Sequence, residues 1–406
     1  MENVIVVGGG PAGMLSAIRL AQRGFSVRLF EKNEKLGKKL FITGKGRCNL
    51  TNDCTEEDFF SHVVTNPRFL YSAYASCSSQ DIQTLFRNWG LDLKVERGRR
   101  VFPASDHSYD VIDVLKRQLK KYRVEVRLNT TVTGLECSDG RVTGVRVGKE
   151  LYPADRIIVA TGGLSYPSTG STGDGYRFAQ DLGLKVTETM PSLVGLVTED
   201  RDIDALQGLS LKNVSLTLYD GKKKVSEDFG EMLFTHYGIS GPLVLSASAL
   251  CGPRLRKGPL KAVIDLKSAV PNEKLDADLR GRLKENANKL ASHAIRSLLP
   301  SSLVPVILER AGIPSDRVSH DVTKEERRGL VETLKGMTLT ITSLRSFEEA
   351  IITKGGISVK EIDPATMAAK RMAGLYFIGE VLDLDAMTGG YNLQIAWTTA
   401  MACAES

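Results

Sequence analysis

A short β-branched run, Val4 to Val7, breaks abruptly into Gly8-Gly9-Gly10-Pro11-Ala12-Gly13. This G-x-G-x-x-G spacing leaves few folds open. Val4 to Val7 reads as a buried parallel strand. Pro11 to Arg23 carries Met14, Leu15, Ala17, Ile18 and Ala21 at helical spacing and stops at Gly24. Ser26 to Phe30 is a second strand, closed by Glu31. A strand, a glycine turn and a helix in one βαβ unit make a device for holding a pyrophosphate. Gly8 permits the tight turn, Gly10 lets the anion reach the backbone, and Gly13 lets the helix lie close on the sheet. Pro11 suits the first helical turn, whose free N–H groups bind the anion. Glu31 is placed to accept hydrogen bonds from ribose hydroxyls.

A chain of 406 residues exceeds what one core supports, so more than one domain is expected. The strand Arg156 to Ala160 runs into a second glycine turn at Thr161-Gly162-Gly163, and Leu375 to Ile378 ends in Gly379-Glu380. Between them, the pattern changes near Met190-Pro191 to short alternating strands as far as residue 270, then to a charged helical stretch. Thr338 to Thr342 reads as a strand returning to the main fold. The expected class is α/β: a parallel sheet with helices on both sides, from residues 1–190 and 337–406. An insert of residues 191–336 interrupts it, β-rich over 191–270 and helical over 271–336.

A second glycine loop follows the first βαβ unit. Lys38, Lys39 and Arg47 flank Gly44-Lys45-Gly46 and are read as neutralising the pyrophosphate. The glycines can lie flat against a ring system. Cys48 is read as a packed or cofactor-adjacent thiol rather than half of a catalytic disulfide, since no second cysteine stands at a redox spacing. Near the C-terminus, Gly389 and Gly390 precede a helix that begins with Asn392, Leu393 and Gln394. Its positive end would stabilise a negative charge that develops in front of it.

The strands ending at Gly162 and Glu380 resemble motifs of the two-dinucleotide-binding-domain flavoproteins, which favours FAD over a nicotinamide nucleotide as resident cofactor. Three further stretches narrow the resemblance: Gly46-Arg47-Cys48-Asn49-Leu50-Thr51-Asn52, Leu233 to Pro242, and Gly389-Gly390-Tyr391-Asn392-Leu393-Gln394. In order and along the whole chain, they look like a family of FAD-dependent oxidoreductases that includes aminoacetone-oxidase-like enzymes and reductases of bile-acid dehydroxylation. That resemblance implies a Rossmann-like domain and tight, non-covalent FAD. It implies cofactor contacts at Gly10, Ala12, Gly13, Glu31, Lys32, Arg47, Cys48, Asn49, Val132, Thr161, Gly162, Glu380, Asp385, Asn392, Leu393 and Gln394. Val132 enters as a backbone contact to adenine. Glu380 stands where Asp is more usual.

The expected function is therefore electron transfer through FAD to a small organic substrate, with NADPH or NADH as a transient donor. A flavin-dependent amine oxidase, a flavin-dependent RNA-modifying protein and a non-catalytic flavin-binding module are the alternatives. His236, beside a glycine turn in the insert, and Tyr391, beside the expected flavin edge, are the candidate proton donors. No metal-ligand spacing is present. The net charge is +6, and the basic runs Arg97–Arg100 and Lys222–Lys224 are read as solvated faces rather than a nucleic-acid footprint. Scattered cysteines, no leader pattern at the N-terminus and no long apolar stretch point to the cytoplasm and away from membranes.

Overall fold

β-branched residues that are buried on both faces favour the centre of a parallel sheet, and β1 (Asn3–Val7) occupies that place, with Val4, Ile5 and Val6 wholly buried. Helix α1 (Pro11–Gln22) crosses to β2 (Ser26–Phe30). With β3 (Glu125–Arg127), β4 (Arg156–Val159) and β5 (Leu375–Phe377), these strands form a parallel sheet in the order 5-4-1-2-3. The computed structural model describes residues 2–406. It divides into two compact units, one of residues 2–192 and 346–406, the other Leu193–Arg345.

In the first unit, the C-terminal helix α2 (Tyr391–Glu405) packs against α1 and is buried along most of its length. Alanines at positions 396, 400, 402 and 404 are all buried there. Trp397, fully buried, donates Nε1–H to the Leu50 carbonyl at 2.9 Å. An antiparallel meander of Gly134–Ser138, Arg141–Val147 and Glu150–Pro153 packs beside the sheet, where Tyr152 meets Phe30 edge to face at 5.2 Å. The chain leaves and re-enters this unit through the antiparallel pair Met190–Ser192 and Ile352–Lys354.

The second unit contains, among the described residues, a closed six-stranded antiparallel barrel. Leu218, Phe234, Ile239 and Ile264 fill its core. Helices Asn272–Glu285, Leu303–Arg310 and Lys324–Lys335 add Leu279, Ile307 and Leu334 to the same cluster. Met337–Leu344 corrects the sequence reading. It pairs with Leu260–Asp265 and Leu196–Thr198 and closes this barrel rather than returning to the parallel sheet, so the unit ends at Arg345 and not at 336. The pattern explains why: Met337, Leu339 and Ile341 are buried while Thr338 and Thr340 are not. That alternation of a one-sided strand differs from the continuous apolar run of a doubly buried one.

Among the described residues, no helix is long and apolar enough to cross a membrane. No group of three or more His, Cys, Asp or Glu side chains is placed to hold a metal.

Candidate cofactor site

β1 lies between β2 and β4, and the connections leave it in opposite directions along the sheet. A crevice must open at the carboxyl ends of such strands. The structure has one there, enclosing about 1320 Å³ including its solvent-open part. It runs from Glu31 past the Gly8–Ala12 turn to Glu380 and the start of α2.

The glycines of the turn divide the work as the spacing suggests. A Cβ on Gly13 would lie 2.0 Å from the Gly8 carbonyl oxygen, and one on Gly8 would lie 2.5 Å from that of Ala160. Both are therefore required by the fold itself. A Cβ on Gly10 would meet nothing within 4 Å and would project into the cleft. The fold leaves that space free, as a dinucleotide pyrophosphate needs. By this test the residues fit FAD.

At one end, Glu31 is buried and its carboxylate is held on three sides. Oε2 accepts from Gly9 N–H at 2.7 Å, and Oε1 accepts from the backbone N–H and the side-chain amide of Asn33, at 2.8 and 2.7 Å. Lys32, Val132 and the small-polar stretch Thr169–Ser171 line the same end. Lys32 is paired with Asp174 at 2.7 Å. Thr161 and Gly162 stand at the exit of β4 on the cleft wall.

At the other end, the Glu380 carboxylate accepts from Ser165 Oγ at 2.6 Å, the Thr353 backbone N–H at 2.9 Å and Lys39 Nζ at 2.5 Å. Asn392 and Leu393 line the cleft. The Asn392 amide grips Ala386, donating to its carbonyl at 2.7 Å and accepting from its N–H at 2.9 Å.

Several residues singled out in the sequence are not brought to the cleft. Arg47 turns away: its Nε donates to Asp106 at 2.7 Å, its Nη2 pairs with Glu96 and Asp106, and it lies over the Phe102 ring at 4.2 Å. Two nearby carboxylates and an aromatic face hold it there. Cys48 is fully buried, and burial pushes its thiol up to about 12, which removes thiolate chemistry at neutral pH. Asn49 does not line the cleft, and its Oδ1 is buried with no protein partner. Asp385, fully buried, is bound to Lys354 at 3.1 Å. Gln394 is a strut inside the fold, where its Oε1 accepts from Thr51 at 2.7 Å. Gly390 caps α2 with φ 103°, where a Cβ would lie 2.4 Å from the Thr51 carbonyl. Tyr391 stacks on His62 at 4.4 Å, away from the cleft lining, and burial raises its hydroxyl pKa. His236 belongs to the second unit, where its ring meets Tyr237 edge to face at 5.0 Å.

Sequence reasoning gave no cofactor role to Asn33, Thr353 or the pairing of Lys39 with Ser165 and Glu380. The small-polar loop from Ser165 to Gly175 was the available signal, and Thr169, Gly170, Ser171 and Asp174 of it do line the cleft.

Comparisons with known proteins match this architecture. The family described as the HI0933-like protein Rossmann domain matches residues 2–406. A ribosomal RNA dihydrouridine synthase of Haemophilus influenzae is 33% identical, covering 100% of this chain and 98% of its own length. A 3-dehydro-bile acid delta(4,6)-reductase of Clostridium scindens is 29% identical over 98% of this chain and 97% of its own. Among solved structures, the 3-ketosteroid delta1-dehydrogenase of Sterolibacterium denitrificans superposes with a TM-score of 0.51 at 15% identity, covering 100% of this chain and 99% of its own, and shares the fold.

Proposed function

We propose that this chain, which belongs to the HI0933-like Rossmann-domain family and is an FAD-dependent oxidoreductase, draws its electrons from NADPH or NADH and saturates a ring carbon–carbon double bond conjugated to a carbonyl. A uracil ring within RNA is the substrate this reading favours. One observation carries the reaction class. Two relatives aligned over nearly their whole length are named for reactions of one chemical type. Dihydrouridine is uridine whose C5–C6 double bond, conjugated to the C4 carbonyl, has gained two hydrogens. A delta(4,6) bond in a 3-dehydro bile acid is conjugated to the C3 carbonyl in the same way. RNA is placed ahead of a small enone because the relative with the higher identity of the two is the RNA enzyme, which reverses the sequence-based preference for a small organic substrate.

In overall balance, the substrate, NAD(P)H and a proton give the saturated ring and NAD(P)⁺. Bound FAD supplies two-electron chemistry, accepting and passing on a hydride equivalent. The chain's own residues do the holding. The α1 N-terminus and the Gly10 backbone bind the pyrophosphate, and Glu31, fixed by Gly9 and Asn33, receives the ribose hydroxyls. The Lys39, Ser165 and Thr353 donors lock Glu380 on the cleft wall.

The test is an anaerobic absorbance scan of the holoprotein. NADPH or NADH should bleach the flavin within seconds, and a uridine-containing RNA should restore the oxidised spectrum and yield dihydrouridine by nucleoside mass spectrometry. Bleaching by an amine and by neither nicotinamide would overturn the reductase reading in favour of amine oxidation. Reoxidation by a conjugated steroid dienone and not by RNA would overturn the choice of substrate.

A further inference from the structure

The loop between Leu40 and Cys48 leaves the cleft and forms its rim: Leu40 and Thr43 line the cleft, while Phe41 and Ile42 face outward, 50% and 39% exposed. Tyr109, 55% exposed, stands in the first turn of the helix Ser108–Lys121. Its neighbour Ser108 ties the two segments together, donating Oγ–H to the Phe41 carbonyl at 2.6 Å and N–H to the Gly46 carbonyl at 2.8 Å. Three of the nine exposed large apolar side chains among the described residues thus fall on one short stretch of rim. Such grouping differs from scattered surface apolar residues, which need no explanation.

Cations accompany the rings. Lys35 Nζ is 6.0 Å from the Phe41 ring centroid, and Lys116 Nζ is 6.0 Å from that of Tyr109. Of the six basic side chains in residues 32–47, Lys32, Lys38, Lys39 and Arg47 are paired with carboxylates, and Lys35 and Lys45 are exposed. Lys45 adds a second kind of observation. It is exposed and held at φ 59°, between Gly44 at φ 62° and Gly46 at φ 83°. A side chain in the left-handed region costs about 1 kcal/mol or more relative to glycine. Lys45 is one of twelve such non-glycine positions among the described residues, and here the exposed ammonium stands on the rim.

We infer that this rim is a docking surface for single-stranded RNA flanking the base that enters the cleft: Phe41 and Tyr109 stack bases, and Lys45 binds a phosphate. The inference rests on the reading of RNA as substrate and goes beyond it by naming the surface. Exposed aromatic rings beside cations are the general means of holding an unpaired strand without reading its sequence. Continuity with the cleft places a base bound here next to the reaction site.

The experiment uses FAD-loaded full-length protein and a fluorescein-labelled, uridine-containing single-stranded RNA in anisotropy titrations at several salt concentrations. Lys45→Gly, which relaxes the backbone, should lower the log–log salt slope by about 1 and weaken binding severalfold. Phe41→Ala with Tyr109→Ala should weaken it by about tenfold or more. FAD content and the rate of flavin bleaching by NADPH should stay at the parent level in both, since none of the three lines the cofactor cleft. Unchanged RNA affinity and salt slope in both variants, with dihydrouridine still formed, would overturn the rim and leave the substrate reading intact. Neither RNA binding nor dihydrouridine formation by the parent protein would overturn both. Binding to anionic phosphatidylglycerol vesicles in place of RNA would overturn the inference in favour of a membrane surface.

Discussion

Gly10 and Gly13 stand three residues apart in one motif, yet the structure gives them opposite sensitivities. Gly10 is the N-cap of α1, at φ −79° and ψ −175°, a conformation open to any residue. Its added Cβ meets no protein atom within 4 Å. In the cofactor-free protein, Gly10→Ala loses a little as a cap, about 0.5–1 kcal/mol, and regains about 0.4–1 kcal/mol from a less flexible unfolded chain. The net lies within about 1 kcal/mol, a melting shift within roughly 2–4 °C. The methyl group instead occupies the approach to the backbone amides. Losing one or two charge-assisted hydrogen bonds of about 1.5–3 kcal/mol each should raise the FAD Kd by about 100-fold. Gly13→Ala behaves the other way. Helix propensity favours alanine by about 1 kcal/mol, but its Cβ would sit 2.0 Å from the Gly8 carbonyl oxygen, an atom of rigid backbone. The clash wins, because relief requires α1 to move off β1, and overpacking of this kind costs about 1–3 kcal/mol. The assay pairs thermal melting of FAD-stripped protein with fluorescence titration of FAD. FAD retention by Gly10→Ala at the parent level would refute the pyrophosphate assignment. A cofactor-free Gly10→Ala that melts as low as Gly13→Ala would refute the claim that the space is free.

Glu31→Ala should weaken FAD by about 1–3 kcal/mol, the scale of a charge-assisted hydrogen bond; it should also lower the melting point without cofactor, because Gly9 and Asn33 lose their acceptor, and parent-level FAD retention on gel filtration would contradict the ribose role. In the second unit, Arg310 donates to Asp202 at 2.8 Å and holds its carboxyl below the usual carboxylate range. A depressed acid contributes stability above its unfolded value of roughly pH 4 and loses it as pH falls through the lower native value, so Asp202→Asn should melt below the parent at neutral pH and converge with it in strong acid; a pH-independent gap would show that the charge is not responsible.

What was legible in the sequence was local. The run Val4 to Val7, the glycine spacing and the position of Glu31 each depend on neighbours within one βαβ unit, and the parallel pairing of β1 with β2 follows from them. Arg47 was misread because its carboxylate partners, Glu96 and Asp106, are 49 and 59 residues away, and nothing near Arg47 in sequence announces them. Gln394 and Thr51 meet across 343 residues, so a side chain that reads as a helix-start donor becomes a core strut. The strand Met337–Leu344 was different. Its alternation of Met337, Leu339 and Ile341 with threonines was visible, and it marks a barrel strand rather than a sheet core.

The charges in the cleft carry the same lesson into function. Basic side chains near the glycine loops read naturally as partners for a pyrophosphate. Each one that lines the cleft is already paired within the protein: Lys32 with Asp174 at 2.7 Å, Lys38 with Glu34 at 3.4 Å and Lys39 with Glu380 at 2.5 Å. An ammonium so engaged gives a bound anion only what remains after its carboxylate is counted. The backbone has no such competitor. The first-turn N–H groups of α1 lack intrahelical acceptors, and they point where the missing Cβ of Gly10 leaves room. The dinucleotide site is therefore built from amides and held open by a glycine, with the lysines fixing the carboxylates around it. That is why three glycines and a strand point to the cleft, while the lysine and arginine count around them pointed to Arg47, which the structure pairs with Glu96 and Asp106.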